Sequence, residues 1–199
     1  MSTRRETITT DGKSNAIVAR KFTSADLELM PNNGDLYEII EGELYVSRQP
    51  GYEHQYTCNR VGRFLDEWND ITNSGVVLTA PGLVFADDDD VAPDVVWITR
   101  ERLKKSTDKA GHLHLAPELV IEVLSPGKLN EYRDRQSKLA LYSRRGVQEY
   151  WIVDWISHQV EVHRRRRNRL KLVKTFRAHD QLETPLLPGF SCKVSLLFF

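Results

Sequence analysis

The sequence predicts a mixed α/β (α+β) fold: a central β-sheet of mixed sense flanked by helices, with an N-terminal β-hairpin extension. Two apolar runs carry the sheet. Ala92-Pro93-Asp94-Val95-Val96-Trp97-Ile98 and Leu119-Val120-Ile121-Glu122-Val123-Leu124 are short, rich in β-branched residues and set off by prolines, the pattern of strands buried on both faces. A helical stretch separates the Glu122 run from a third β-rich run, Glu149–Asp154. A strand–helix–strand crossover of this kind joins parallel neighbours. A chain of 199 residues suits one domain with a small appendage. Residues 21–199 are assigned to that domain. Residues 1–20, polar, aperiodic and carrying Arg4 and Arg5, are expected to form a flexible arm.

Local signals place the remaining elements in order. Thr23-Ser24-Ala25-Asp26 ahead of Leu27, Leu29 and Met30 predicts a short capped helix stopped by Pro31. Glu41-Gly42 between Leu36-Tyr37-Glu38-Ile39-Ile40 and Glu43-Leu44-Tyr45-Val46-Ser47 is a hairpin turn signal. From residue 52 to about 72, Tyr56, Val61, Phe64, Leu65, Trp68 and Ile71 mark one face of a helix, which Asn73-Ser74-Gly75 ends. Strands are expected at 76–79 and 83–86, a solvated loop at 87–90, a short helix at 101–105 and a flexible connection at 107–114. Beyond Ser125-Pro126-Gly127 a second long helix is predicted over about 130–145, with Gly146 as its C-cap. Val160 and Val162 alternate with Glu161 and His163, and Leu170 to Phe176 reads as the return strand around residues 164–168.

The net charge is zero, yet it is unevenly spread. Residues 1–130 carry 14 basic and 21 acidic side chains, and residues 131–199 carry 14 basic and 7 acidic. An acidic half that suits cations, joined to a basic half that suits phosphates, fits a metal-dependent enzyme acting on nucleic acid, although charged surface is commonly just solvated. Cys58 and Cys192 form no spacing motif, and neither a signal peptide nor a long apolar stretch is present in the sequence. A cytoplasmic location is therefore expected and a membrane role has no support.

Glu122 stands where a carboxylate is costly. Alternation puts it on one strand face with Val120 and Leu124, and dehydrating an ionised acid costs several kcal/mol unless positive charge compensates. If Asp94 ends an adjacent strand, two acids converge, and a shared divalent cation is the simplest remedy. Carboxylate ligands without a Cys/His cluster in the sequence suit Mg2+ or Mn2+. The competing reading makes Glu122 a structural acid paired to an arginine such as Arg133 or Arg135, and Asp94 a turn or cap residue after proline.

With those residues in place, the chain resembles the PD-(D/E)XK nuclease superfamily. Pro93-Asp94 matches its PD element and Glu122-Val123-Leu124 falls where its triplet belongs. The wider set comprises Tyr37 to Glu43, His54, Glu118 to Pro126, Lys138 to Tyr142 and Gly146 to Asp154, and it resembles the bacterial Uma-two family of putative restriction endonucleases from about residue 22 to the C-terminus. The resemblance implies a restriction-endonuclease-like core and an endonuclease that hydrolyses DNA phosphodiester bonds through a metal-activated water. It implies Mg2+ or Mn2+ held by Asp94, Glu122 and the Val123 carbonyl, with DNA as partner. A homodimer follows from the resemblance alone. The triplet's lysine position holds Leu124, which cannot stabilise a phosphate. Related proteins can supply that lysine from the next helix, which makes Lys138 the third catalytic candidate and Lys128 a poorer one. Lys138 could instead merely pair with Asp134 one turn earlier. The alternative function is a catalytically inactive DNA-binding or interaction module of the same fold, favoured by Leu124; a hydrolase of small phosphodiesters is a third.

Auxiliary candidates are His54, at the start of the first long helix, and Glu38 and Glu43 on the hairpin. A satisfied structural histidine and solvated or paired acids are the competing readings. Arg164, Arg165, Arg166 and Arg167, with Arg169, could contact DNA phosphates, or simply form a charged hairpin tip. Trp97, Trp151 and Trp155 lie in β-rich runs and are read as core residues rather than base-stacking platforms.

Overall fold

The computed structural model describes residues 21–199, so the arm predicted over residues 1–20 lies outside the described residues. Asp26 accepts from the Thr23 backbone N–H at 2.9 Å and caps α1 (Ser24–Leu27). The hairpin β1 (Leu36–Ile40) and β2 (Glu43–Ser47) forms as predicted, and its turn residues Glu41 (φ 55°) and Gly42 (φ 79°) both adopt the positive φ that a tight two-residue loop requires. The helix α2 (Tyr52–Thr72) ends at Asn73, which is left-handed at φ 49°. Its buried stripe runs through His54, Cys58, Val61, Leu65 and Trp68. Ile71 is exposed, and Tyr56 meets Phe199 edge-on at 5.4 Å, so the apolar face lies to one side of the predicted one.

Then follow β3 (Gly75–Thr79), β4 (Leu83–Ala86), β5 (Asp89–Val91), β6 (Val95–Thr99), α3 (Arg100–Ser106) and β7 (Leu119–Val123). The long helix predicted over 130–145 starts earlier and is interrupted. It consists of α4 (Lys128–Tyr132), a π-helical turn (Arg133–Lys138) and α5 (Leu139–Arg145), closed by Gly146 at φ 98°. The chain continues as β8 (Glu149–Asp154), β9 (Gln159–Arg166), β10 (Arg169–Arg177), β11 (Gln181–Glu183), β12 (Ser191–Lys193) and a 3-10 turn (Val194–Leu197). Among the described residues no helix is long and apolar enough to cross a membrane.

Six strands form the main sheet in the order β10-β9-β8-β7-β6-β3, antiparallel except for the β7–β8 pair that the helix crossover joins. A second sheet has the order β2-β1-β5-β4. The main sheet separates two cores. Leu119, Ile121 and Val123 face α2 and the C-terminal segment, and Val120 and Leu124 face α5 and the smaller sheet. Glu122 shares the second face, where alternation placed it.

Two expected loops turn out to be built. Residues 87–90 are a solvated loop only in part: Asp87 and Asp88 form the turn between β4 and β5, but Asp89 lies in β5, 2% exposed, and accepts from the Glu41 N–H at 2.8 Å and from Arg145 at 2.6 Å. The connection at 107–114 is stapled rather than flexible, because Asp108 accepts from the Ala110 and His112 amides and pairs with His114 Nε2 at 2.8 Å.

Candidate active site

Register brings the two predicted acids together. β6 pairs antiparallel with β7, Val95 opposite Ile121, so one residue further along Asp94 comes opposite Glu122. Asp94 Oδ2 accepts from the Val123 backbone N–H at 2.8 Å and lies 3.4 Å from His54 Nε2. The first turn of α2 delivers His54, whose Nδ1 is 3.5 Å from Cys58 Sγ one helical turn on.

Glu122 is 2% exposed, and among the described residues its donors converge on one oxygen. Oε1 accepts from Tyr142 Oη at 2.7 Å and from Lys138 Nζ at 3.0 Å. Lys138, 1% exposed, also reaches Glu38 Oε1 at 2.8 Å. Glu38 accepts in addition from the Ala92 N–H at 3.0 Å and lies 3.7 Å from Arg133. The π turn explains this meeting. Its i→i+5 repeat stacks Arg133 and Lys138 on one face, where both address Glu38, and the following α-helical turn aligns Tyr142 with Lys138 over Glu122.

A cleft of about 200 Å³ opens on this cluster, walled by Glu38, His54, Asp94, Glu122, Arg133 and Lys138, with exposed Arg48 and Gln49 at its mouth. A shallower groove of about 760 Å³ between the β9–β10 hairpin and the C-terminal segment holds none of these groups. Burial pushes the Glu122 carboxyl up; Lys138 opposes that, and Asp94, Asp134 and Glu38 reinforce it. Burial works against the Lys138 charge too, but Glu122 and Glu38 outweigh it and hold the ammonium above its ordinary value. Burial likewise drives the Cys58 thiol far up, helped by the negative fields of Asp94 and Glu122.

Four carboxylates (Glu38, Asp94, Glu122 and Asp134) thus surround two cations, Lys138 and Arg133. With all four ionised the formal surplus would be two negative charges, the strain that pushes the Glu122 carboxyl up, and oxygen donors around a cleft fit a divalent cation that would relieve it.

The structure therefore gathers Asp94, Glu122, Lys138, His54 and Glu38 in one place and leaves other candidates out. Glu43 is exposed at the hairpin turn, accepting from Tyr45 Oη at 3.2 Å. Lys128 is exposed at the start of α4 and is not part of the cleft. Neither proposed arginine holds Glu122: Arg133 bonds Asp134 at 2.8 Å, and Arg135 pairs with Glu161. Lys138 makes its ion pairs with Glu38 and Glu122, so it is not merely the helical partner of Asp134. In the arginine run, Arg164 is committed to Glu149 at 2.6 Å and Arg165 to the Val147 and Ser143 carbonyls at 2.8 Å, while Arg166 and Arg167 stay exposed. Trp97 and Trp151 lie in the core, and half-buried Trp155 donates to the Leu124 carbonyl at 2.9 Å. Cys58 and Tyr142 had not been singled out. The signals were present as four-residue steps, His54 to Cys58 and Lys138 to Tyr142, each one helical turn.

The family model described as "Putative restriction endonuclease", Uma2, matches residues 24–195. The chain belongs to the Uma2 family. A crystal structure of a putative nuclease belonging to DUF820 from Anabaena variabilis shares the fold of this Uma2 chain. It superposes with a TM-score of 0.71 at 17% identity, over 89% of this chain and 97% of that one. The type IIG restriction endonuclease BpuSI aligns at a TM-score of 0.38 and 12% identity, over 72% of the Uma2 chain and 14% of its own, too little similarity to carry an argument. No curated protein matches.

Proposed function

We propose that this Uma2 chain is a divalent-metal-dependent endonuclease that hydrolyses DNA phosphodiester bonds. The observation that carries the reading is the Lys138 ammonium 3.0 Å from Glu122 Oε1, in a cleft shared with Asp94. It supplies the cation missing at Leu124, which is buried on the second core face.

Asp94, Glu122 and the Val123 carbonyl would hold Mg2+ or Mn2+. When bound, the ion supplies a more acidic water and neutralises charge on the phosphate. The chain's own groups do the rest. Glu38 and Glu122 keep Lys138 charged and aimed, so that it stabilises a non-bridging phosphate oxygen or orients the attacking water. Tyr142 fixes the Glu122 carboxylate by its 2.7 Å bond, and the Val123 amide and His54 fix Asp94. Arg48 at the mouth would meet a backbone phosphate, a contact that weakens steeply with salt, whereas Arg166 and Arg167 lie past Glu149, at the end of the sheet away from the cleft. Cutting both strands of a duplex needs two such sites, which a homodimer would supply.

Nicking of supercoiled plasmid in Mg2+ or Mn2+, abolished by a chelator, tests the reading. Asp94→Asn, Glu122→Gln and Lys138→Met should each lower the rate by about 10²–10³-fold. Cleavage that survives these substitutions would remove the residues from the mechanism. Calorimetric metal binding without any cleavage would identify an inactive module instead.

A further inference from the structure

Phosphodiester chemistry leaves Cys58 without a role, although its Sγ lies 3.5 Å from Nδ1 of His54, which walls the cleft. We propose that His54, Cys58 and Asp94 form a site for a thiophilic divalent metal such as Zn2+, sharing Asp94 with the nuclease centre. Their ligand atoms all lie within 4.8 Å of one another, with His54 and Cys58 buried.

Geometry and donor chemistry both support this. His54 and Cys58 are four residues apart on α2, so their side chains stack on one face, the same helical spacing by which paired histidines hold zinc. With Zn–N near 2.0 Å and Zn–S near 2.3 Å, the nitrogen–sulfur edge of a tetrahedron is about 3.5 Å. The His54 Nδ1 to Cys58 Sγ separation is 3.5 Å. Asp94 Oδ2 stands 3.4 Å from the other ring nitrogen. A turn of the imidazole and about 1 Å of side-chain closure bring one nitrogen, the sulfur and the carboxylate around a single ion. Three protein ligands leave a fourth position for water. A sulfur–nitrogen–oxygen set prefers Zn2+, Co2+ or Cd2+ to Mg2+, which takes hard oxygen ligands. On binding, the Cys58 thiol gives its proton to solvent and ligates as the thiolate. The α2 backbone that carries two of the ligands is fixed by Val61, Leu65 and Trp68 in the core, so the pair is held in place before metal arrives. If the nuclease reading also holds, occupancy by Zn2+ withdraws Asp94 from the Mg2+ site and inhibits cleavage.

The test is a titration of the chelator-stripped full chain with Co2+, following the thiolate-to-cobalt charge-transfer band in the near ultraviolet. The band should grow to one equivalent per chain and be displaced by Zn2+. It should persist in Cys192→Ser, where Cys58 is the remaining thiol, and vanish in Cys58→Ser. His54→Asn should weaken Co2+ binding at least ~10-fold. Absence of the band in the wild type, or its loss in Cys192→Ser, overturns the site; the latter result stands even if Cys58→Ser fails to fold. Plasmid cleavage in Mg2+, measured separately, keeps the two readings apart: a cobalt band without cleavage removes the nuclease and leaves the metal site, and cleavage without a band does the reverse.

Discussion

Glu122 and Glu149 lie on neighbouring parallel strands, β7 and β8, and both are buried, yet their partners differ in kind. Glu149 is saturated. Its Oε1 accepts from Trp151 Nε1 at 2.7 Å, and its Oε2 from Arg164 Nε at 2.6 Å and Thr184 Oγ1 at 2.9 Å. One acid meets one guanidinium and two neutral donors, and the charge closes. Glu122 must share Lys138 with Glu38, feels Asp94 and Asp134 as well, and borders a cleft. Burial of a carboxylate therefore does not mark a reactive site. Uncompensated charge beside an opening does, because only there is a further cation needed and able to enter.

Substitution should split the two glutamates along that line. Glu122→Gln keeps the shape of the side chain and removes only an ionised form that burial and acidic neighbours already disfavour, so the melting temperature should stay within about 2 °C of the wild type or rise. Plasmid cleavage should fall by about 10²–10³-fold. Glu149→Gln leaves Arg164 without its counter-charge. Because that guanidinium is partly solvated, the loss should be about 2 kcal/mol, a drop of roughly 4–8 °C for a chain of this size. Cleavage per folded molecule should be unchanged. The contrast fails if both variants lose activity at equal stability, or if Glu122→Gln melts as early as Glu149→Gln.

Lys138 tests the same difference from the cation's side. Lys138→Met strips the cluster of its shared ammonium and should destabilise by roughly 3–5 kcal/mol in chemical denaturation. Adding Glu122→Gln relieves the repulsion that remains, so the double variant should recover at least about 1 kcal/mol relative to the sum of the two single changes. Additive losses would mean that Glu122 and Lys138 do not depend on each other. Tyr142→Phe is a smaller cut: it deletes the 2.7 Å hydroxyl bond to Glu122 and should cost about 1.5 kcal/mol.

The sequence displayed Glu122 and hid Glu149, and the reason is physical. An acid between β-branched residues violates the strand pattern, so Glu122 stands out locally. Glu149 opens its run, where an acid breaks no pattern; the partners that satisfy it, Arg164 and Thr184, lie 15 and 35 residues away. Asp89 was misread for the same reason, since the acidic run around it looked solvated while its partner Arg145 lies 56 residues on. The order of elements along the chain, the hairpin and the parallel crossover were legible because they rest on periodicity and turn chemistry. The arrival of Lys138 over Glu122 needed a resemblance to suggest it. A π turn inside an otherwise helical stretch has no composition of its own, and without it the lysine's facing could not be assigned.

An exposed acid gives the lowest point on this scale. Asp108 staples the 107–114 connection, and its carboxyl is held down at about 2, chiefly by the His114 side chain and then by the His112 amide. Its folded value lies below the unfolded value of 3.8, so the staple is at full strength above about pH 4 and is lost as the pH falls through 2. Water screens the group, and Asp108→Asn should leave the melting temperature at neutral pH unchanged within about 1 °C. The effect should be local. Hydrogen exchange at the Ala110 and His112 amides, which donate to Asp108 Oδ1 at 2.8 and 2.9 Å, should accelerate in the variant. In the wild type the same amides should lose protection between pH 4 and 2, beyond the intrinsic pH dependence of exchange, whereas the variant should follow the intrinsic dependence alone. Equal protection in the two proteins at neutral pH would show that the loop is held by Leu113, 1% exposed beneath it, and that the carboxylate contributes nothing there.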